Sequence, residues 1–228
     1  MKTLILFDID GTLLFSNKAD SRCFANSYAA VFGRAFPTID WTKFPEVTDH
    51  VIFRTAFHDH FRRYPTQAER ETFEDHYLAA LTRVRDEDPS EFREVPGAAA
   101  IWRQLEADDR YLTGVATGGW QRPAALKLAH VGIPPEPAYA GYANDKFSRQ
   151  DILEEAIDLA RAAHEVNHIV YVGDAIWDVI TTQAMNLPLI GVRHRGDHDK
   201  LLALGVTTVI SDYLDVEGFL ATVGGKSR

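Results

Sequence analysis

Residues 4–9, 112–117, 169–173, 189–192 and, more weakly, 206–210 form runs that are apolar on successive positions rather than on alternate ones. Continuous apolar runs of this length mark strands covered on both faces, as in a parallel sheet. Helical spacing fills the gaps between them. Residues 98–107 carry Ile101, Trp102 and Leu105, and residues 121–131 carry Leu126, Leu128 and Val131. Residues 148–163 open with Ser148 three positions before Asp151, an acidic variant of the capping box. Ile152, Leu153, Ala156, Ile157 and Leu159 then keep the helical period. Strands alternating with helices predict βαβ units and an α/β fold with a doubly wound parallel sheet.

The alternation stops between Phe15 and about Pro96, where no run reads as a buried strand. Residues 17–32 read as helix, and Pro37 and Pro45 punctuate the stretch after it. A second helix is predicted over 66–84, with Thr66 and Glu69 at capping-box spacing and Phe73, Tyr77, Leu81 and Val84 along one face. The pattern therefore divides into a core domain, 1–15 with 96–228, and a smaller helical cap domain, 16–95. A module inserted directly after the first strand overhangs that strand's C-terminal end, where open α/β sheets bind ligands. No internal repeat or low-complexity segment is present, and the tail GGKSR is expected to fray.

The chain has 228 residues, 46% hydrophobic and 25% charged, which fits one large domain or a core with an insert. A formal net charge of −9 without a basic stripe argues against nucleic acid as a partner. The single cysteine, Cys23, has no internal disulfide partner and reads as a small buried side chain. The opening MKTLILF is too short for a signal peptide and runs straight into Asp8. No segment reaches the roughly 20 apolar residues of a membrane helix. These features lead us to expect a cytoplasmic protein without a membrane partner, as a monomer or homodimer.

The candidate chemistry lies where apolar runs end. Asp8 and Asp10 close the first run, and residues two apart on a strand face the same side. Two carboxylates at the rim of an apolar core repel each other and resist desolvation unless a cation or shared proton relieves them. Gly11 then permits a tight turn, and Thr12 supplies a hydroxyl. The third core run ends in VGDAIWD, where Asp174 and Asp178 share a face if a helix starts at Ala175. Four acids at two strand ends predict a hard-cation site of the Mg2+ type. Thr117, Gly118 and Gly119 end another run just before a helix, as in an anion site. Arg149, or failing that Lys146, would supply a fixed positive charge.

Together these pieces resemble the haloacid dehalogenase superfamily and, within it, the phosphoglycolate-phosphatase-like branch. DIDGTL resembles the family's DxDGT motif, Thr117 its second motif and VGDAIWD its acidic GDxxxD motif. VPGA at 95–98 and VTD at 47–49 also look like this branch, and the likeness spans nearly the whole chain. The family usually has Lys as its third-motif cation. Here KFSRQDI offers two candidates, and Arg149 fits better because R-x-D-I opens the helix as in relatives. The resemblance implies that Asp8 is a nucleophile forming an aspartyl phosphate, and that Asp10 protonates the leaving alcohol and then activates water. It implies Mg2+ on the Asp8 carboxylate, the Asp10 backbone carbonyl and Asp174, with Asp178 supporting. Thr117, the Gly118 amide and Arg149 would hold the phosphoryl oxygens, and Thr48 and Asp49 in the insert would touch substrate.

The implied activity is a Mg2+-dependent phosphatase acting on a small phosphorylated metabolite. A phosphomutase on sugar phosphates is the nearest alternative, since it uses the same residues under a different cap. An aspartate-phosphorylated regulatory domain is a third, disfavoured because such a domain needs no acid at position 10. Asp10 also argues against the dehalogenase branch, which lacks it. HDH at 58–60 reads as solvated surface, because helical residues two apart do not share a face. RHRGDHD at 193–199 reads as a charged loop near the site, and Trp120 and Trp177 as either cavity wall or core.

Overall fold

The computed structural model describes residues 2–194 and 196–224; Arg195 in the charged loop and the tail from Gly225 to Arg228, expected to fray, lie outside them. In chain order the protein runs from β1 (Lys2–Phe7) to β2 (Leu14–Phe15), then α1 (Asn17–Phe32), α2 (Asp49–Phe61) and α3 (Gln67–Glu87). β3 (Arg93–Glu94), α4 (Ala98–Glu106), β4 (Tyr111–Ala116), α5 (Gln121–His130) and β5 (Tyr139–Gly141) come next. The second half comprises α6 (Arg149–Ala163), β6 (Val166–Gly173), α7 (Ile176–Ala184), β7 (Leu189–Val192), α8 (Asp199–Leu202), β8 (Thr208–Ile210) and α9 (Val216–Val223).

Six strands form one parallel sheet in the order β5-β4-β1-β6-β7-β8. β1 lies in the middle, with Leu4 paired to Leu112 on one side and to Ile169 on the other. Leu4, Ile5, Leu6 and Phe7 are all fully buried, which explains a run with no polar alternation. After β1 the chain builds outward through β4 and β5, then returns to β6 on β1's other side. The C-terminal ends of β1, β4 and β6 thus meet at the reversal point, where α/β sheets place their ligands.

The three helices between β1 and α4 add no strand to this sheet. Their two ends are tied by an antiparallel ribbon, Leu14 opposite Glu94 and Phe15 opposite Arg93. α3 starts with the expected capping box, Thr66 and Glu69 bonding each other's backbone N–H. Aromatic rings fill the space between the helices: Phe53 and Phe73 stack with centroids 4.7 Å apart, and Phe24 meets Phe73 edge-on at 4.9 Å. Trp120, just before α5, packs within 6.1 Å of Phe24, Phe53 and Phe73 and is fully buried. Of its two readings, core is therefore the correct one, and this ring joins the inserted helices to the sheet's core.

Candidate active site

β1 ends at Phe7, so Asp8 and Asp10 are not strand neighbours facing one side, as their spacing predicts. The chain turns instead. Thr12, Leu13 and Leu14 each donate an N–H to the Ile9 carbonyl, and Gly11 sits at φ +87°. A side chain at Gly11 would overlap the Asp174 carboxylate, so glycine is required both by the turn and by that approach. Asp8 stays close to the sheet, 5% exposed. Asp10 swings toward α5 and α1, where its oxygens accept from the Ser16 hydroxyl and, at 2.7 Å, from Lys127 Nζ. Both still line one cavity.

Of the four predicted acids, three come together. Asp8, Asp174 and Asp178 each offer a carboxylate oxygen within 4.8 Å of the others. Asp10 is not in that group by its side chain, which corrects the expectation of a four-carboxylate cluster. Burial, followed by the charge of Asp178, pushes Asp8 up to about 7. The same two causes raise Asp174 well above the usual carboxylate range. Oxygen donors packed this closely and disfavoured as anions are the donor set that a hard divalent cation matches, and Mg2+ fits it.

Asp178 is fully buried and held twice: its Oδ2 accepts the Ala175 N–H at 3.0 Å, and its Oδ1 accepts from Arg149 Nη2 at 2.6 Å. Arg149, the first residue of α6, is 4% exposed. Its Nη2 also donates to the Tyr171 hydroxyl at 3.0 Å and lies 3.7 Å from Asp8 Oδ1. Burial alone would lower its affinity for a proton, but Tyr171, Asp178 and Asp8 more than offset that and hold it charged. Its Nε is buried without a partner among the described residues, a donor left over. Ser148 caps α6 as expected, its Oγ accepting the Asp151 N–H at 3.0 Å. Lys146, the other expected cation, does not line the cavity. Its Nζ lies 3.5 Å from Glu155 on α6, so of the two candidate cations it is Arg149 that reaches the acids.

Thr117, Gly118 and Gly119 follow β4 and line the cavity. A side chain at Gly118 would strike the Val47 carbonyl and Arg149 Nη1, so this glycine lets the insert approach the cation. Thr48 caps α2 by accepting the Val51 N–H, and Asp49 bonds the turn after β4 from both ends. Its N–H donates to the Gly118 carbonyl at 2.7 Å, and its Oδ2 accepts the Trp120 N–H at 3.0 Å. Thr12 is fully buried, its hydroxyl without a partner among the described residues, so it does not face the cavity. Gly11 borders a neighbouring cavity that Asp174, Lys18, Arg193 and Lys200 also line.

Several residues carry no signal in the local motifs. Lys127 on α5 is 3% exposed and binds both Asp10 and Asp20, the latter on α1. Its position three beyond Ala124 and one before Leu128 puts it on the helix's buried face, the one cue the chain offers. Burial would lower its proton affinity, but Asp10 and Asp20 reverse that and hold it charged. Asp20 also accepts from the Tyr77 hydroxyl of α3. Asn17, Ser21 and Trp41 complete the insert's side of the wall, and Trp177 the core's. HDH at 58–60 holds no metal geometry: His60 pairs with the Tyr28 hydroxyl at 2.9 Å. In the charged loop, Arg193 pairs with Asp197 and donates to the Asp174 carbonyl at 3.1 Å. Cys23 is buried, and desolvation pushes its thiol up to about 11, an inert side chain as expected.

Residues 2–186 match the family model for haloacid dehalogenase-like hydrolases. The chain belongs to that family. A hydrolase from Pseudomonas syringae superposes with a TM-score of 0.69 at 18% identity, covering 97% of this chain and 99% of that one. A β-phosphoglucomutase from Clostridium difficile gives a TM-score of 0.69 at 16% identity, with 98% of each chain covered. CbbY from Rhodobacter sphaeroides, solved with phosphate, gives 0.62 at 16%, covering 93% and 95%. At these identities the likeness establishes the shared fold. No curated protein sequence matches this haloacid dehalogenase-like hydrolase significantly. Among its described residues, no helix is long and apolar enough to cross a membrane.

Proposed function

We propose that this hydrolase is a Mg2+-dependent phosphatase that cleaves a small phosphorylated metabolite through an aspartyl phosphate on Asp8. The observation that carries this reading is the pairing of Asp8 with Arg149 beside a three-carboxylate cluster at the sheet's reversal point. Phosphoryl transfer needs an in-line nucleophile, fixed positive charge and positioning, and little else. The Asp8 carboxylate attacks phosphorus, and the bond from phosphorus to the leaving alcohol breaks. Asp10 gives its proton to the departing oxygen. It then takes one from the water that cleaves the aspartyl phosphate and frees Asp8. Thr117, the Gly118 amide and Arg149 hold the phosphoryl oxygens. Asp8, the Asp10 backbone carbonyl and Asp174 would hold the cation, with Asp178 behind them. Its charge would neutralise the phosphoryl group and the acids around it.

In this reading residues 16–95 act as the cap that selects the substrate. The insert also weighs against a mutase. A mutase must hold a second phosphate, yet the described cavity-lining residues of the insert include Asp20 and Asp49 and no cation. Turnover of p-nitrophenyl phosphate with Mg2+, abolished by EDTA, is the expected result. Absence of turnover under saturating Mg2+ overturns the reading.

A further inference from the structure

The cavity has two unlike walls. On one side stand Asp8, Thr117 and Arg149, the groups assigned to the phosphoryl end. On the other, the insert presents Asp20 on α1 and the indole of Trp41, while Asp49 at the start of α2 joins the two walls through its bonds to Gly118 and Trp120 in the turn after β4. Lys127 is the cation nearest these acids, and it is already bound to Asp10 and Asp20. Asp20 and Asp49 thus stand beside a single ammonium, and burial raises Asp20 and pushes Asp49 up to about 8, so both carboxyls gain from a further cation brought against them. Asp49 spends one bond on the Trp120 N–H, while a carboxylate accepts several. Acids beside an aromatic face are the combination that binds an ammonium group, by charge and by cation–π attraction. The cavity measures about 80 Å³. That is room for roughly six water-sized groups, so a phosphoryl group leaves space for a few more atoms.

Resting on the phosphatase reading above, we propose that Asp20 and Asp49 are specificity-determining residues: they select a small phosphomonoester whose leaving alcohol carries a protonated amine, and reject one carrying a carboxylate or a second phosphate. An acid in that position meets like charge in a low-dielectric pocket whose described cations are already paired. An amine meets carboxylates that have acceptor capacity to spare.

The test is kcat/KM for three probes of similar size, 2-aminoethyl phosphate, glycerol phosphate and phosphoglycolate, with p-nitrophenyl phosphate as the reference. The expected order is amine above polyol above acid, with the amine exceeding the acid by roughly tenfold or more. Asp49→Asn keeps an acceptor for the Trp120 N–H while removing the charge, and is expected to shrink that ratio several-fold. Turnover of p-nitrophenyl phosphate together with equal rates on the three probes, or with a preference for phosphoglycolate, overturns this inference and leaves the phosphatase reading standing. No turnover of any of the four overturns both. A wild-type preference for the amine that Asp49→Asn leaves unchanged removes Asp49 from the assignment. If the variant does not fold, the wild-type order still decides the substrate class.

Discussion

Two buried cations face one cavity and are held in different ways. Arg149 reaches Asp178 at 2.6 Å and Asp8 at 3.7 Å, both on the sheet side, with Tyr171 fixing its fork. Lys127 starts from the sheet side too, on α5, but bonds Asp10 in the core and Asp20 in the insert. The phosphoryl end therefore takes its side chains from strand ends and the helices that follow them, with Asp49 of the insert bracing the turn after β4. The leaving-group end is complete only when α1 lies against α5. A planar guanidinium suits the first task because it braces two carboxylates in fixed geometry. A compact ammonium suits the second because it joins elements that approach from different directions.

The largest effect that would break this contrast is at Asp8. Asp8→Asn removes the nucleophile and is expected to lower kcat by about a thousandfold or more, checked with p-nitrophenyl phosphate; an unimpaired variant ends the assignment. Next comes Arg149→Ala. Loss of a fixed donor at the phosphoryl end is expected to reduce kcat by about 10²–10³-fold. Lys127→Met leaves Asp10 and Asp20 facing each other without a cation. A broken buried pair costs about 3–5 kcal/mol, read from urea unfolding, and a shift below about 1 kcal/mol would show that the Lys127 pairs do not hold the insert in place.

A smaller effect sharpens the comparison through pH. The folded-state value of Asp8 is raised to about 7, so between its ordinary value and 7 the folded protein binds a proton that the unfolded chain has lost. Stability from this group is therefore present below that window and falls as pH rises through it. A cation that binds the ionised carboxylates restores it. The rise in Tm on adding Mg2+ is expected to be larger near pH 8 than near pH 5.5, and an equal rise at both would contradict the cluster's role. The smallest effect is at Lys146. Its half-buried pair with Glu155 is worth about 0–1 kcal/mol, and Lys146→Ala is expected to change kcat less than twofold.

The parallel sheet is legible in the chain because buried strands leave an unbroken apolar run, and β1, β4, β6 and β7 all do so. β5 is not, since three residues at an edge carry too little pattern, and the ribbon of β2 with β3 escapes for the same reason. α2 escapes because its apolar residues sit among charges and histidines, and its place against the site is set by contacts from Asp49 to Gly118 and Trp120.

The acids at positions 8, 10, 174 and 178, the cation at 149 and the turn after β4 can be named from local order alone, because each sits where an apolar run stops or a helix begins. Which of those acids share an ion, and which is drawn aside, was decided by long-range packing. Lys127 lies 117 positions from Asp10, and only the folded chain brings that ammonium close enough to turn the carboxylate toward it. The composition of the insert's wall has the same origin: Asp20, Trp41 and Asp49 line one cavity because the aromatic cluster and the bonds from Asp49 to Gly118 and Trp120 seat the inserted helices over the strands' C-terminal ends.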